Sequence, residues 1–316
     1  MTPVPSGGTG FAAAGQSGST AADGTARAVL HDRYGGPDVL VVADVPEVRP
    51  GPAEVRVRVR AAGINPFDSK VRSGRPPYTC DDPFPRGVGQ DFAGVVDEAG
   101  PGARHLDGSP VEVGDEVIGF ADRRCVREQL VVPDTQLVRK PAGLSWDVAG
   151  ALPTPGRTAL GCLDLLDIGA GDTLLVGAAA GGVGVLLSQL AAERGATVIG
   201  TAGPANHAFL NGLGIQPVAY GDGLGDRVRA AGVKLTAAVD CHGREAVDTA
   251  LALGLSPDRV VTIVRHDVTA ELGLASPGMR PRTAAELAEV AGTVVREQLH
   301  IPVQAFGLDR VREAFL

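Results

Sequence analysis

"LLVGAAAGGVGVLLSQLAAERGATVIGTA", residues 174–202, decides the fold. It opens, with Thr173 before it, on an apolar run of strand length. Val183, Leu186, Leu187, Leu190 and Ala191 then recur at i, i+3, i+4, i+7 and i+8. That is the apolar face of a helix, and Gly195 closes it. Between strand and helix lies Ala179-Ala180-Gly181-Gly182-Val183-Gly184. This is the dinucleotide fingerprint G-x-G-x-x-G with alanine at its first position. In a chain with 44 glycines such a string is a weak signal alone; a strand-to-helix turn is the context it requires. A pyrophosphate there would meet unpaired N–H groups and the positive end of the helix dipole. Gly181 would let the backbone approach the phosphates, and Gly184 would let helix and strand pack closely. The competing reading is a packing turn with no ligand.

The loop after the second strand bears on which dinucleotide is held. NAD sites place an Asp or Glu there for the ribose 2′-OH. No carboxylate occurs between Glu193 and Asp222, so a 2′-phosphate is not repelled and NADPH is the expected cofactor. Thr201, Ala202, Asn206 and His207 form the expected contact loop, with a plain surface histidine the alternative for His207.

Further out, the texture is of two kinds. From Arg27 to about residue 140, short strands with Gly/Pro turns dominate. "EVRVRVRAAGI", residues 54–64, alternates valine with arginine, the period of a strand with one wet face. From about Ser145, short Val/Ile/Leu runs alternate with candidate helices at 183–194, 205–213 and 244–253, and a further one at 282–299. That rhythm predicts an α/β fold with a doubly wound parallel sheet. Residues 1–26, small and polar, read as a disordered tail without a signal peptide.

Composition narrows the function. The net charge of -8 argues against nucleic-acid and basic membrane surfaces. Hydrophobic residues make up 44% and aromatics only 4%, so the cores rest on Val, Leu, Ala and Ile. The four cysteines, 80, 125, 162 and 241, are scattered and form no C-x-x-C, which excludes a zinc ribbon and points to a reducing compartment.

Several segments together resemble the zeta-crystallin-like quinone oxidoreductases, a zinc-independent branch of the medium-chain dehydrogenase/reductase superfamily. They are "YGGPDVLVVADVPEVRPGPAEVRVRVRAAGINPFDSKVRSG", "GVGQDFAGVV", "GDEVIGF", "GAAAGGVG" and "VIGTAG", in family order over nearly all the folded part. In that family an alanine is normal at the first fingerprint position. The resemblance implies a GroES-like catalytic domain over 27–148, a Rossmann NADPH-binding domain over 149–281, and a helix and return to the catalytic domain over 282–316, with the cofactor in a cleft between domains. It also implies a cytoplasmic homodimer acting on a small quinone or enone. Zinc is not expected: Asn65 and Gln90 stand where the zinc branch has cysteine and histidine, and neither amide replaces a thiolate or imidazole.

Residue roles follow from the same resemblance. Asn65 and Lys70 would line the nicotinamide end of the site, and Tyr78 would lie near the substrate; a turn-fixing Asn65, a surface Lys70 and a packing Tyr78 are the alternatives. Thr158, at a helix start, would lie near the nicotinamide, Tyr220 near the adenosine, and Ile263 against the cofactor. Asp240, at a strand end, is expected as scaffold. The chain departs from the family at "RRCVREQL", whose Arg123, Arg124 and Arg127 suggest an acidic substrate, and at its end, where relatives continue to a further strand, so that it looks truncated. Two other functions stay open: a dedicated biosynthetic enoyl reductase, and a non-catalytic NADPH-binding protein.

Overall fold

The computed structural model describes residues 20–79, 81–275 and 283–316. They form two compact units, one of residues up to Thr154 together with Val303–Leu316, the other Pro155–Pro302.

The first unit is built on antiparallel pairing. Its strands are β1 (Thr20–His31), β2 (Val41–Val48), β3 (Glu54–Gly63), β4 (Arg86–Gly87), β5 (Asp91–Ala99), β6 (Glu116–Phe120), β7 (Gln129–Pro133) and β8 (Leu137–Arg139). They make a three-stranded sheet, β2-β1-β4, and a five-stranded sheet, β7-β3-β5-β6-β8. The alternation in β3 works as its sequence requires: Val55 and Val57 are buried against Phe92, Val96, Val117, Leu130, Val132 and Leu137. Helix α1 (Pro66–Ser73) follows β3, and α2 (Trp146–Ala151) lies near the end of the unit's first segment. Strand β1 begins at Thr20, earlier than the boundary at Arg27 expected from composition. Its register explains why: Thr25–Leu30 pair with Val41–Pro46. Small residues supply no strand signal, yet their backbone N–H and C=O groups complete a ladder. The rest of the expected tail, residues 1–19, lies outside the described residues.

The second unit is a doubly wound α/β sheet. Helix α3 (Pro153–Leu165) leads in, followed by β9 (Thr173–Gly177), α4 (Gly182–Glu193), β10 (Thr197–Thr201), α5 (His207–Gly212), β11 (Gln216–Val218), α6 (Leu224–Ala230), β12 (Ala237–Asp240), α7 (Glu245–Ala252), β13 (Val260–Thr262), α8 (His266–Leu272) and α9 (Ala284–Arg296). The strand order is β11-β10-β9-β12-β13, all parallel. From central β9 the chain runs outward through β10 and β11, then returns past β9 to β12 and β13. That reversal is a topological switch point, and ligands of open sheets bind outside the carboxyl ends there. Helices α6 and α8 are absent from the sequence reading. Both are only two turns long, anchored by Leu224, Val228 and Val268 in the core, too short to show a sustained 3.6-residue period.

The last segment returns to the first unit. There α10 (Val311–Ala314) and Phe315 pack Val311 and the Phe315 ring with Val29, Leu40, Val88 and Val126. Among the described residues no helix is long and apolar enough to cross a membrane.

Candidate functional site

The glycine-rich turn joins β9 to α4 at the switch point. Ala178 takes a left-handed conformation, φ 55°. The turn is pinned from beneath by Thr201, whose Oγ1 accepts from the Ala178 N–H at 2.9 Å and whose carbonyl accepts from Ala179 N–H at 2.9 Å. Thr201 is therefore buried as a support of the turn. The methyl of Ala179 is admitted because residue 200 is glycine: a Cβ there would come within 2.5 Å of it.

The glycines divide into two kinds. At Gly184 a Cβ would run into the Ala178 carbonyl and lie 2.8 Å from Ala179 Cα, so the helix touches the turn through a missing side chain. At Gly182 a Cβ would meet nothing within 4 Å, and at Gly181 only the Ala178 oxygen at 3.3 Å. The protein's own packing demands glycine at 184 and leaves the exposed surface over 181 and 182 open. Ala180 and Val183 lie in the same turn, both half-buried.

Other expected cofactor residues gather along this edge. His207 shares a hydrogen bond of 3.1 Å with the Ala202 carbonyl. A carbonyl only accepts, so Nε2 carries the hydrogen. Asn206 is exposed at the start of α5, and the Tyr220 ring, 63% exposed, stands beside Gly203. The Ile263 N–H donates to the Asp240 carbonyl at 3.1 Å. Asp240 is buried, which pushes its carboxyl up, and it accepts from Thr262 Oγ1 at 3.0 Å and His242 N–H at 3.3 Å. Thr158 is not at a helix start: α3 begins at Pro153, because prolines fit a first turn that has no N–H partners to lose, and Thr158 is buried within the helix.

A second cluster belongs to the first unit. Asn65 caps α1 and closes a capping box with Asp68. The Asn65 N–H donates to Asp68 Oδ2 at 2.7 Å, and Asn65 Nδ2 donates to Asp91 Oδ2 at 2.8 Å. Thr154 Oγ1 donates to Asp91 Oδ1 at 2.6 Å. Asp68 and Asp91 are both buried. Burial first, and the neighbouring Asp91 charge after it, push the Asp68 carboxyl up to about 7. Cys125 is buried nearby, and burial raises its thiol well above the usual range. Lys70 Nζ lies 5.1 Å from the centre of the Tyr78 ring, whose other neighbour is Phe67, edge-on at 5.7 Å. The structure thus brings Tyr78 against Lys70 of the helix that Asn65 caps.

The donor set does not suit zinc. Asn65 and Gln90 offer amides, and no group of three or more His, Cys, Asp or Glu suited to a metal occurs among the described residues. Two of the three arginines of "RRCVREQL" are not free. Arg123 pairs with Asp82 at 2.9 Å and Asp122 at 2.6 Å, and Arg127 is buried, which pulls its guanidinium down to about 10. The roles of Asp91 and Thr154 beside Asn65 escaped sequence reasoning. They lie 26 and 63 residues apart in the chain along the relay, and no local spacing marks such a contact.

The family model for the alcohol dehydrogenase GroES-like domain matches residues 51–152. The quinone oxidoreductase from Coxiella burnetii superposes with a TM-score of 0.81 at 30% identity, over 92% of this chain and 94% of that one. The chain belongs to the quinone oxidoreductase family of the medium-chain dehydrogenase/reductase superfamily. A quinone oxidoreductase of Pseudomonas aeruginosa is 35% identical over 187 residues, 58% of this chain and 55% of that protein. The pikromycin polyketide synthase component PikAII of Streptomyces venezuelae is 32% identical over 288 residues, 84% of this chain but only 7% of that protein. The chain therefore spans about half of one of these curated relatives and a small part of the other.

Proposed function

We propose that this quinone oxidoreductase family member binds NADPH and transfers hydride, without zinc, to a quinone or another conjugated carbonyl compound. The observation that carries the reading is the open turn at Gly181 and Gly182. It lies at the start of a 12-residue helix, at the switch point, beside a loop with no carboxylate. The fit is one of shape and charge: backbone N–H groups at a helix N-terminus, room where side chains would stand, and no anion to repel a 2′-phosphate.

In this reading Gly181, Gly182, Val183 and Gly184 receive the pyrophosphate. Ala180, Thr201, Ala202, Asn206, His207 and Tyr220 flank the adenosine end, and Thr158 and Ile263 the nicotinamide end. The bound cofactor supplies a hydride to an electrophilic carbon of the substrate. Negative charge then grows on the substrate's carbonyl oxygen, and a donor aimed there lowers the barrier. Asn65 supplies that donor, with Lys70 and Tyr78 beside it, and water protonates the resulting enolate.

A second reading has one observation in its favour. The long match to a polyketide synthase component supports a dedicated enoyl reductase acting on one biosynthetic intermediate. Cofactor oxidation measured against quinones, alkenals, cyclic enones and enoyl thioesters separates the two. The principal reading expects turnover of p-benzoquinone with NADPH, a lower Kd for NADPH than for NADH, and no loss to a chelator. Turnover confined to enoyl thioesters selects the second; activity lost to a chelator and restored by zinc removes the metal-free mechanism.

A further inference from the structure

We propose that Asp91 is a positioning residue, which with Thr154 holds the Asn65 amide so that one Nδ2 hydrogen is presented to the substrate's carbonyl oxygen. The inference rests on the reading of Asn65 as the donor and adds how that donor is set.

A carboxylate accepts hydrogen bonds and donates none. Asp91, buried at the start of β5, therefore selects which end of the Asn65 amide it faces. It receives Nδ2, at 2.8 Å, and this forces Oδ1 to the other side. The capping box with Asp68 holds the backbone of the same residue. Thr154 completes the relay by donating to the other oxygen of Asp91 at 2.6 Å, so the carboxylate cannot rotate without losing a bond at each end. One Nδ2 hydrogen of Asn65 remains, with no acceptor among the described residues, on a half-buried residue. A neutral amide free to flip presents an acceptor as readily as a donor. Tied to an acceptor-only partner, it presents a donor, the polarity that a carbonyl oxygen gaining negative charge requires. The acid thus acts on the reaction without touching the substrate.

The test is a double-mutant cycle on the full chain. Asn65→Ala, Asp91→Asn and the double variant are compared in kcat/KM for p-benzoquinone, in NADPH Kd and in thermal midpoint. Asn65→Ala is expected to lower kcat/KM about a hundredfold. Asp91→Asn is expected to lower it about tenfold to a hundredfold through kcat, with NADPH Kd unchanged. The double variant is expected to lose no more than Asn65→Ala alone. The exchange variant Asn65→Asp/Asp91→Asn rebuilds the bond with donor and acceptor reversed, so its thermal midpoint should recover while kcat does not. Thr154→Val, which leaves the carboxylate in place, should cost several-fold in kcat alone and nothing in the Asn65→Ala background. Losses that multiply in the double variant, wild-type kcat in Asp91→Asn, or recovered kcat in the exchange variant overturns the proposal. If Asp91→Asn does not fold, the Thr154→Val pair decides it by the same comparison. A wild-type chain that oxidises no NADPH in the presence of p-benzoquinone overturns the functional reading itself and the proposal with it, an outcome distinct from the others.

Discussion

Asp68 shows how one buried residue couples stability to pH. Its carboxyl is 2% exposed, its Oδ1 has no hydrogen-bond partner, and burial beside Asp91 raises it to about 7. An unpaired oxygen in such a place is tolerated far better neutral than charged. In the unfolded chain the same group ionises near 3.8, its ordinary value. Between those two values the folded state keeps a proton that the unfolded state has lost, so stability falls as pH rises from about 4 to about 7. The loss is on the order of a few kcal/mol. Asp68→Asn resembles the protonated form and removes this dependence. Denaturant titrations should show the variant equal to wild type near pH 4 and more stable near pH 8; parallel curves at all pH values would contradict the assignment. Gly181 lies at the other extreme, exposed, with only the Ala178 oxygen near the place of a Cβ. Gly181→Val should stay folded with a slightly lowered thermal midpoint, because its Cβ would lie 3.3 Å from the Ala178 oxygen and valine is a poor helix N-cap. It should lose NADPH by more than about a hundredfold, since several charge-assisted hydrogen bonds worth roughly 1.5–3 kcal/mol each are lost together. Calorimetric binding within a few-fold of wild type would remove the turn as the cradle.

At the scale of elements, the strand-turn-helix β9–α4 passes within four residues from a glycine with room for a side chain to one that packing demands. Gly184→Ala should behave oppositely to Gly181→Val. Its methyl meets the backbone of Ala178 and Ala179, and overpacking of this kind costs about 1–3 kcal/mol. A lowered thermal midpoint is expected; an unchanged one would show that helix and turn do not need their close approach. This element was legible because its signals are local. The apolar run, the glycines and the 3.6-residue stripe all fall within residues 174–195, and the structure places β9 and α4 where they indicate. The alternating valines of β3 were legible for the same reason. The short helices α6 and α8 were not, since tertiary burial of Leu224, Val228 and Val268 stabilises what two turns of sequence cannot announce. The start of β1 was hidden because its ladder is made by backbone and alanine. The surroundings of Asn65 were half legible. Its own motif stands out, but the carboxylate that turns it comes from β5 and the hydroxyl that turns the carboxylate from α3, and such convergence is a property of the fold.

At the scale of the whole molecule, the first unit is discontinuous in sequence. Val311 and Phe315 complete a core begun by Val29 and Leu40, and the Phe315 ring lies 5.5 Å from the Arg72 guanidinium. Phe315→Ala should cost about 3 kcal/mol, as deletion of a buried ring does, and should shift the urea midpoint of the unit that carries β1 while leaving NADPH affinity near wild type. A change confined to the second unit would show that the segment is not part of that core. The arrangement also has a meaning for synthesis. A ribosome delivers the chain from one end, and domains fold as they emerge. The second unit, continuous from Pro155 to Pro302, has all its strands in hand before Val311 is added. The cluster around Val29 waits until Val311 and Phe315 have been added. The second unit is thus finished first, and the unit carrying Asn65 holds an apolar face exposed throughout the synthesis of the other.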